Sequence, residues 1–356
     1  MQTYGIKYIG SKNSLIGDIL SVIDTKLGNP QTLRCIDVFT GTTRVSQAFR
    51  NKGWSVQSSD LSWASEAYAN AFILRTEESG KNIPRHIQTL RDLSGTSDWL
   101  TNTYCDVSNA LTDKRIRMWK PKNGQKADAI RNIIAEWEAT QIINHHEAMI
   151  LVACLIFALD KVDSSTGVQQ AYLKDWASRA SNELNLEDLP FIQGLPGTHV
   201  VGDCLQIPYL EADVAYLDPP YSAHSYSTYY HIWDSITRWD KPQVKLSTNR
   251  RIDRVAAAEQ FDTSMQSQWN SKSTALNAFI ALCNRLPVKY ILISYNNESL
   301  IPLDTLTKAL KDKYASVSIT EIPYKRNIMA TIGNAALYTD EHKTENVEVL
   351  IWVVKN

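Results

Sequence analysis

The sequence holds few of the residues that staple or punctuate a chain. Its five cysteines, Cys35, Cys105, Cys154, Cys204 and Cys283, are scattered, odd in number and without a CxxC pair. That excludes a disulfide framework and a cysteine-built zinc site, and fits reduced thiols in a cytosol. Glycine (14) and proline (12) are too scarce for a collagen-like or low-complexity chain. Long hydrophobic runs are missing too. The longest clean apolar stretch, Ala148–Leu159, has twelve residues. A membrane-spanning helix needs about 20, so this stretch reads as a buried core helix and no membrane partner is expected. The opening MQTYGIKYIGSK has no basic segment followed by an apolar one, so a secretory signal is not expected and a cytoplasmic location is. An excess of one charge sign is also absent, the formal net charge being −1.

What is present describes a folded globular chain. Of 356 residues, 44% are hydrophobic and 21% charged, which excludes disorder as the dominant state. The length predicts two domains, or one large domain carrying an insertion. Charge is unevenly spread. Lys114–Lys126 has six basic residues and no acidic one, and Arg238–Arg254 has six basic against two acidic. Two basic islands on a mildly acidic chain suit a polyanion, with solvated loops as the competing reading.

The hydrophobic pattern alternates between helical and extended segments. Leu15–Ile23 has helical spacing, Thr32–Phe39 reads as a buried strand, Val45–Asn51 as helix, and Ser55–Ser59 as a strand ending at Asp60. A helix over Ser65–Leu74 follows. This β-α-β-α order predicts a parallel sheet with helices on its faces. From about Glu77 to Pro196 the pattern turns polar and mostly helical; strands resume at His199–Val201, Val214–Leu217, Tyr290–Ser294 and Val347–Val354. One α/β domain, residues 1–76 and 198–356, is therefore expected around an inserted unit at 77–197.

Two segments carry chemistry. Asp37-Val38-Phe39-Thr40-Gly41 sits where the first strand turns into a helix, and Asp60 ends the second strand. In nucleotide-binding α/β folds, the glycine admits a ligand close to the backbone and the acid accepts from ribose hydroxyls. The single glycine does not make the GxGxxG fingerprint, so a dinucleotide is not implied. A tight structural turn is the competing reading. Asp218-Pro219-Pro220-Tyr221 is sharper, because it follows the apolar strand Val214-Ala215-Tyr216-Leu217 and so lies where open α/β sheets bind ligands. The prolines fix φ and remove two donors, leaving an aspartate beside a fixed carbonyl: an acceptor pair for an NH₂ group. Tyr221 adds a flat face for stacking a ring. His145-His146-Glu147 lacks the HExxH spacing and reads as helix surface, and no metal site is expected.

These residues resemble the Dam-like, or D12, class of adenine-N6 DNA methyltransferases, and the stretch His224–Ile236 is similar to the branch that includes the FokI-type methylases. The resemblance covers most of the chain outside the insertion. It implies a Rossmann-like methyltransferase sheet, S-adenosylmethionine (SAM) as cofactor, and duplex DNA as substrate. It also allows a cognate restriction endonuclease as partner. By this resemblance Tyr8, Lys12, Asp37, Phe39, Gly41, Asp60, Asp203 and Asp218 bind the cofactor. Asp218, Pro219, Pro220 and Tyr221 form the catalytic turn. Ser294-Tyr295-Asn296-Asn297-Glu298, Lys325-Arg326-Asn327-Ile328 and Glu348 also resemble segments of the class. The motif order is that of the α-group, in which the insertion recognises the target. Lys114, Arg115, Arg117, Lys120 and Lys122 in the insertion, with Arg250 and Arg251 beyond the catalytic turn, are then expected to face DNA. The chain departs from the family at Thr43, where a second glycine is usual, and at Ser222, where many relatives carry asparagine.

The implied chemistry needs no covalent intermediate. Asp218 and the Pro219 carbonyl accept from adenine N6 and draw its lone pair towards the SAM methyl, in a target base flipped out of the duplex. His224, Tyr226, Tyr229 and Tyr230 are candidates for the mouth of that pocket, with ordinary packing expected for at least two. The rival readings are an RNA adenine methylase, a protein amide methylase, a catalytically inactive DNA-binding relative and a nucleotide-dependent oxidoreductase. Asp218 counts against the amide methylase, whose turn usually reads NPPY, and the single glycine counts against the oxidoreductase.

Overall fold

The structure is a computed structural model and describes residues 2–105, 118–169, 173, 175–220, 226–242, 267–297, 299–323 and 347–356. Helix α1 (Ile16–Leu27) buries Ile16, Ile19, Leu20 and Ile23, and it stops at Gly28, whose left-handed backbone (φ 73°) lets the chain turn away. Strand β1 (Arg34–Asp37), helix α2 (Arg44–Asn51), strand β2 (Ser55–Asp60) and helix α3 (Ala64–Ala69) follow, and α3 runs on through a wide π-turn at Asn70–Leu74. The segment expected as a strand over Thr32–Phe39 is thus shorter at both ends: Thr32 and Leu33 precede it, and Val38, still donating to Tyr216 O at 3.2 Å, begins the turn with Phe39.

Helices α4 (Glu77–Gly80), α5 (Ile83–Arg91), α6 (Trp99–Tyr104), α7 (Pro121–Ala139) and α8 (His145–Lys161) form the inserted segment, mostly helical as the pattern predicts. The chain then returns through β3 (Thr198–Val201), β4 (Val214–Leu217), α9 (Tyr226–Arg238), α10 (Ala275–Arg285), β5 (Tyr290–Asn296), α11 (Leu303–Lys311), β6 (Ser316–Pro323) and β7 (Val347–Val354). Among the described residues these strands make one seven-stranded sheet, ordered β3-β2-β1-β4-β5-β7-β6. The first five are parallel, and β7 runs antiparallel to both its neighbours. This is the Rossmann-like methyltransferase sheet that the resemblance implies. Strand β6, an edge strand outside the expected set, interleaves Val317, Ile319 and Ile322 with polar residues and is half-exposed to exposed over residues 316–322.

Both faces of the sheet are covered, and the strands alternate between two apolar cores. Tyr216, Leu292, Leu350 and Trp352 pack into the core that includes α1, α2, α3 and α8. Ala215, Leu217, Ile291, Ile293, Ile351 and Val353 pack into the opposite core, with α10 and α11. Burial on both faces is why these strands read as continuous apolar runs. The apolar stretch at 148–159 is a core helix as expected, and it shares its core with α3 and the sheet. Among the described residues, Ile83, Leu100, Trp119 and Ile130 of the inserted segment belong to that same core.

A buried guanidinium ties the root of the insertion to α2. Arg50 donates to the carbonyls of Phe72, Ile73 and Arg75 (2.6–2.9 Å) at the C-terminal end of the π-turn, and reaches Gly194 O at the returning end. Helix ends leave such carbonyls without internal partners, and buried ones need a donor.

Candidate active site

The site is built at the C-terminal ends of β1, β2 and β4, where the strand order switches direction between β1 and β4. That crevice is the usual ligand position in doubly wound sheets. Asp37 ends β1 opposite Tyr216 of β4, and Asp218-Pro219-Pro220 begins directly after Leu217. The even alternation puts Asp37, Tyr216 and Ser294 on the sheet face that also carries Glu348 of β7.

Asp37 is 1% exposed. Its Oδ2 accepts from Thr40 Oγ1 (2.9 Å), the Ser46 amide (3.1 Å) and Ser46 Oγ (2.5 Å), so the carboxyl staples the turn to α2. Its Oδ1 is buried with no hydrogen-bond partner among the described residues. Burial pushes the carboxyl up to about 7 against those hydrogen bonds, helped by the charges of Asp218 and Asp60. Gly41 has a positive φ of 50°, and a Cβ there would lie 3.3 Å from the Tyr8 ring, so glycine is needed for both conformation and space. Thr43 fills the family's second glycine position with φ 64°, a left-handed conformation that costs a β-branched residue about 1–2 kcal/mol. Its buried hydroxyl accepts from Gln47 Nε2 at 3.0 Å, which turns the side chain towards α2.

Asp60 bridges two loops: its Oδ2 accepts from the Gly41 amide (2.8 Å) and its Oδ1 from the Ser62 amide (2.9 Å). Burial raises it to about 6, opposed by these amide bonds. The amides fix the carboxylate at the strand end, while each oxygen retains a further acceptor site. Asp203 accepts from the Leu205 amide at 3.0 Å in the turn after β3. Phe39 packs edge-on against Trp269, with ring centroids 5.0 Å apart.

Lys12 is 6% exposed and pairs with Asp218, its Nζ lying 3.0 Å from Asp218 Oδ1 and 3.3 Å from Gly10 O. Glu348, 8% exposed, sits within electrostatic reach of both. Burial drives its carboxyl up to about 7, with Lys12 opposing and Asp218 adding to the rise. Its Oε2 has no hydrogen-bond partner among the described residues. Five acids, Asp37, Asp60, Asp203, Asp218 and Glu348, thus gather at the ends of neighbouring strands and the turns that follow them, with Lys12 paired to one of them. Two buried, unpartnered carboxylate oxygens there suit a ligand that brings its own positive charge, as the sulfonium and ammonium of SAM do.

The structure therefore brings together the expected residues Tyr8, Lys12, Asp37, Gly41, Asp60 and Asp218, with Pro219 and Pro220 continuing from Asp218. Tyr221, Ser222 and His224 lie outside the described residues, as do Lys114, Arg115, Arg117, Arg250, Arg251 and Lys325–Ile328. Lys120 and Lys122 are both held to Ser181, through its Oγ (3.1 Å) and its carbonyl (3.0 Å). Lys126 caps the end of α5 through the Arg91 and Leu93 carbonyls, and Lys241 pairs with Asp98. Tyr230 is buried, stacked on Tyr8 at 4.3 Å, with its hydroxyl accepting from the Ile9 amide. His145 bridges Glu66 and Glu138, and His146 lies between Ser79 and Asn70.

Two neighbours of the site escaped the sequence reading. Asp234 of α9 accepts from Ser62 Oγ (2.6 Å) and the Ala64 amide (2.9 Å), holding the loop after Asp60. Trp269 supports Phe39. Asp234 lies within the stretch His224–Ile236 singled out by resemblance but was given no role there, and Trp269 has no local motif, so each is recognised by what it touches.

Comparison with known proteins places this geometry in context. The model of a family described as D12 class N6 adenine-specific DNA methyltransferase matches residues 8–309. The chain is 28% identical to modification methylase LlaI of Lactococcus lactis subsp. lactis, over 99% of this chain and 55% of that protein. It is 28% identical to the type II methyltransferase M.NlaIII of Neisseria lactamica, over 90% of this chain and 92% of that protein. It is 25% identical to M.FokI of Planomicrobium okeanokoites, over 97% of this chain and 51% of that protein. The chain thus spans about half the length of LlaI and M.FokI, and nearly all of M.NlaIII.

Proposed function

This chain belongs to the D12 class of N6 adenine-specific DNA methyltransferases, and on that premise we propose that it methylates N6 of an adenine flipped out of a specific site in duplex DNA, using SAM. The observation that carries the reading is the Lys12–Asp218 pair at 3.0 Å, set at the end of β4 beside the Asp37–Gly41 turn and Asp60.

Asp60 and Asp203 are the acceptors for the cofactor's nucleoside hydroxyls and base, and the Asp37–Gly41 turn with Tyr8 walls its methionine part. Bound there, SAM supplies a methyl group made electrophilic by its sulfonium. Asp218 and the Pro219 carbonyl accept hydrogen bonds from the N6 amino group, draw its lone pair out of conjugation with the ring, and aim it along one line of attack. Lys12 pins Asp218 Oδ1, so the acceptor is oriented before substrate arrives, and preorganised dipoles of this kind cost no rearrangement during the reaction. Asp218 is also the nearest carboxylate to receive the proton that N6 loses as its new bond to carbon forms. Tyr221 stacks the flipped base, worth about 1–3 kcal/mol against an unstacking cost of similar size. The inserted segment and the basic islands contact the duplex and read the target, and an endonuclease cutting the same site is the partner such an enzyme serves.

Single-turnover methylation with tritiated SAM on duplex DNA, RNA and protein tests this. Wild-type protein should label adenine N6 in duplex DNA. Asp218→Ala should slow transfer by about 100-fold or more while changing DNA affinity by less than about threefold. Label appearing in RNA or protein instead would replace the substrate assignment, and near-normal transfer by Asp218→Ala would end the mechanism.

A further inference from the structure

Helix α9 is broken. At Tyr230 the backbone (φ −129°, ψ 17°) leaves the helical region, so α9 is two helical pieces meeting at that residue. A break of this kind strips the first amides of the second piece of their internal acceptors, and buried amides must find others. The other acceptor comes from the inserted segment. Gln169, 3% exposed, takes the Ile232 amide on its Oε1 at 2.7 Å. Its own amide donates to Tyr229 O at 2.8 Å, on the other side of the break. One residue therefore clamps both sides of the kink.

The kinked residue reaches the cofactor motif. The Tyr230 ring stacks on Tyr8 at 4.3 Å with 18° between planes, and its hydroxyl accepts from the Ile9 amide at 2.6 Å. Tyr8 in turn lies against Gly41. A second tie reaches the same segment from the same loop. Lys7 Nζ pairs with buried Asp163 at 2.8 Å, and Asp163 is held in place by Arg179. The Lys7 amide donates to Asp160 Oδ2 at 3.2 Å.

We propose that Gln169 is a positioning residue for the cofactor motif: by setting the break in α9 it aims Tyr230 at Tyr8 and Ile9, and so holds the Tyr8–Lys12 segment over Gly41. This rests on the reading of that segment as part of the SAM pocket. It makes residues 160–169, the end of α8 and the chain that follows it within the inserted segment, a support of the cofactor site.

The test uses the whole chain, with two readouts. Gln169→Leu removes the acceptor at a similar volume, Gln169→Glu keeps one, and Tyr230→Phe keeps the stack but removes the hydroxyl. Hydrogen exchange over residues 7–12 should speed up about tenfold in Gln169→Leu and in Tyr230→Phe, the amount one buried hydrogen bond supports, while β5 peptides keep their wild-type rate. SAM affinity measured by calorimetry should fall about tenfold in Gln169→Leu, be largely restored in Gln169→Glu, and fall no further when Gln169→Leu and Tyr230→Phe are combined. Wild-type exchange at 7–12 in Gln169→Leu, or fully additive losses in the double variant, would overturn the assignment. Should Gln169→Leu not fold, exchange in Gln169→Glu and Tyr230→Phe decides: slow in the first and fast in the second supports the proposal, and any other pattern overturns it. If the wild-type protein binds no SAM, the cofactor reading falls, and the exchange result alone still decides whether Gln169 positions the segment.

Discussion

Replacing Asp37 with asparagine should change the stability of the ligand-free protein in a pH-dependent way, and the structure sets both sign and size. Burial is the largest influence on this carboxyl and lifts it to about 7. In the unfolded chain an aspartate titrates near about 4. The folded state therefore holds a proton that the unfolded state has already lost, so stability is greatest below about pH 4 and declines until the pH passes about 7. A shift of roughly three units corresponds to about 4 kcal/mol in all, of which about 2–3 kcal/mol falls between pH 5 and pH 8. Asp37→Asn keeps an acceptor for Thr40 and Ser46 and cannot ionise. Its amide nitrogen, however, takes the place of Oδ1, which has no partner among the described residues, at a cost of about 1–3 kcal/mol. The variant should be the less stable protein at pH 5, and should gain about 2–3 kcal/mol on wild type by pH 8. Urea midpoints for both proteins at half-unit steps of pH, without SAM, measure this directly, because every other titrating group largely cancels in the difference. A stability difference that stays flat from pH 5 to pH 8, or falls, would show that Asp37 is not a buried proton-holding acid.

Cofactor binding should carry the same signature. Asp37 and Glu348 are raised to about 7 and Asp60 to about 6, so SAM affinity should rise from pH 5.5 to pH 8 with proton release. Calorimetry in buffers of different ionisation heat reads this, and affinity that falls with pH contradicts it. Asp60→Ala should weaken SAM binding about tenfold or more and lower the melting temperature by a few degrees, since the Gly41 and Ser62 amides lose their acceptor, while the protein still folds; unchanged affinity would remove the ribose assignment. At Thr43, φ 64° predicts that Thr43→Gly is more stable than Thr43→Ala by about 1 kcal/mol, the reverse of the usual order within a helix, and thermal melts of the two variants decide it. Arg50→Met takes the guanidinium donor from the carbonyls of Phe72 and Arg75 and leaves Ile73 O to the Gly197 amide alone, and should lower unfolding stability by about 2–4 kcal/mol in urea titrations.

The sequence alone determined the parts of this protein that local pattern encodes. Short strands ending in Asp37–Gly41, Asp60 and Asp218–Pro220 announce a doubly wound sheet with its chemistry at the strand ends, because strand burial, tight turns and proline constraints act over a few neighbouring residues. The insertion was legible as helical, and its apolar helix as core, for the same reason. Tertiary structure decided the rest. It paired Lys12 with Asp218 across most of the chain and brought Glu348 in from a reversed strand. It completed the sheet with edge strand β6, whose Val317, Ile319 and Ile322 interleave with polar residues, by pairing its backbone to β7. It also joined the insertion to the catalytic half through Arg50, Asp163 and Gln169. Each of these is a polar group whose meaning lies in its partner. A buried amide, carbonyl or charge must be matched, but nothing in its own neighbourhood of sequence says by what, and only the fold brings the match within reach.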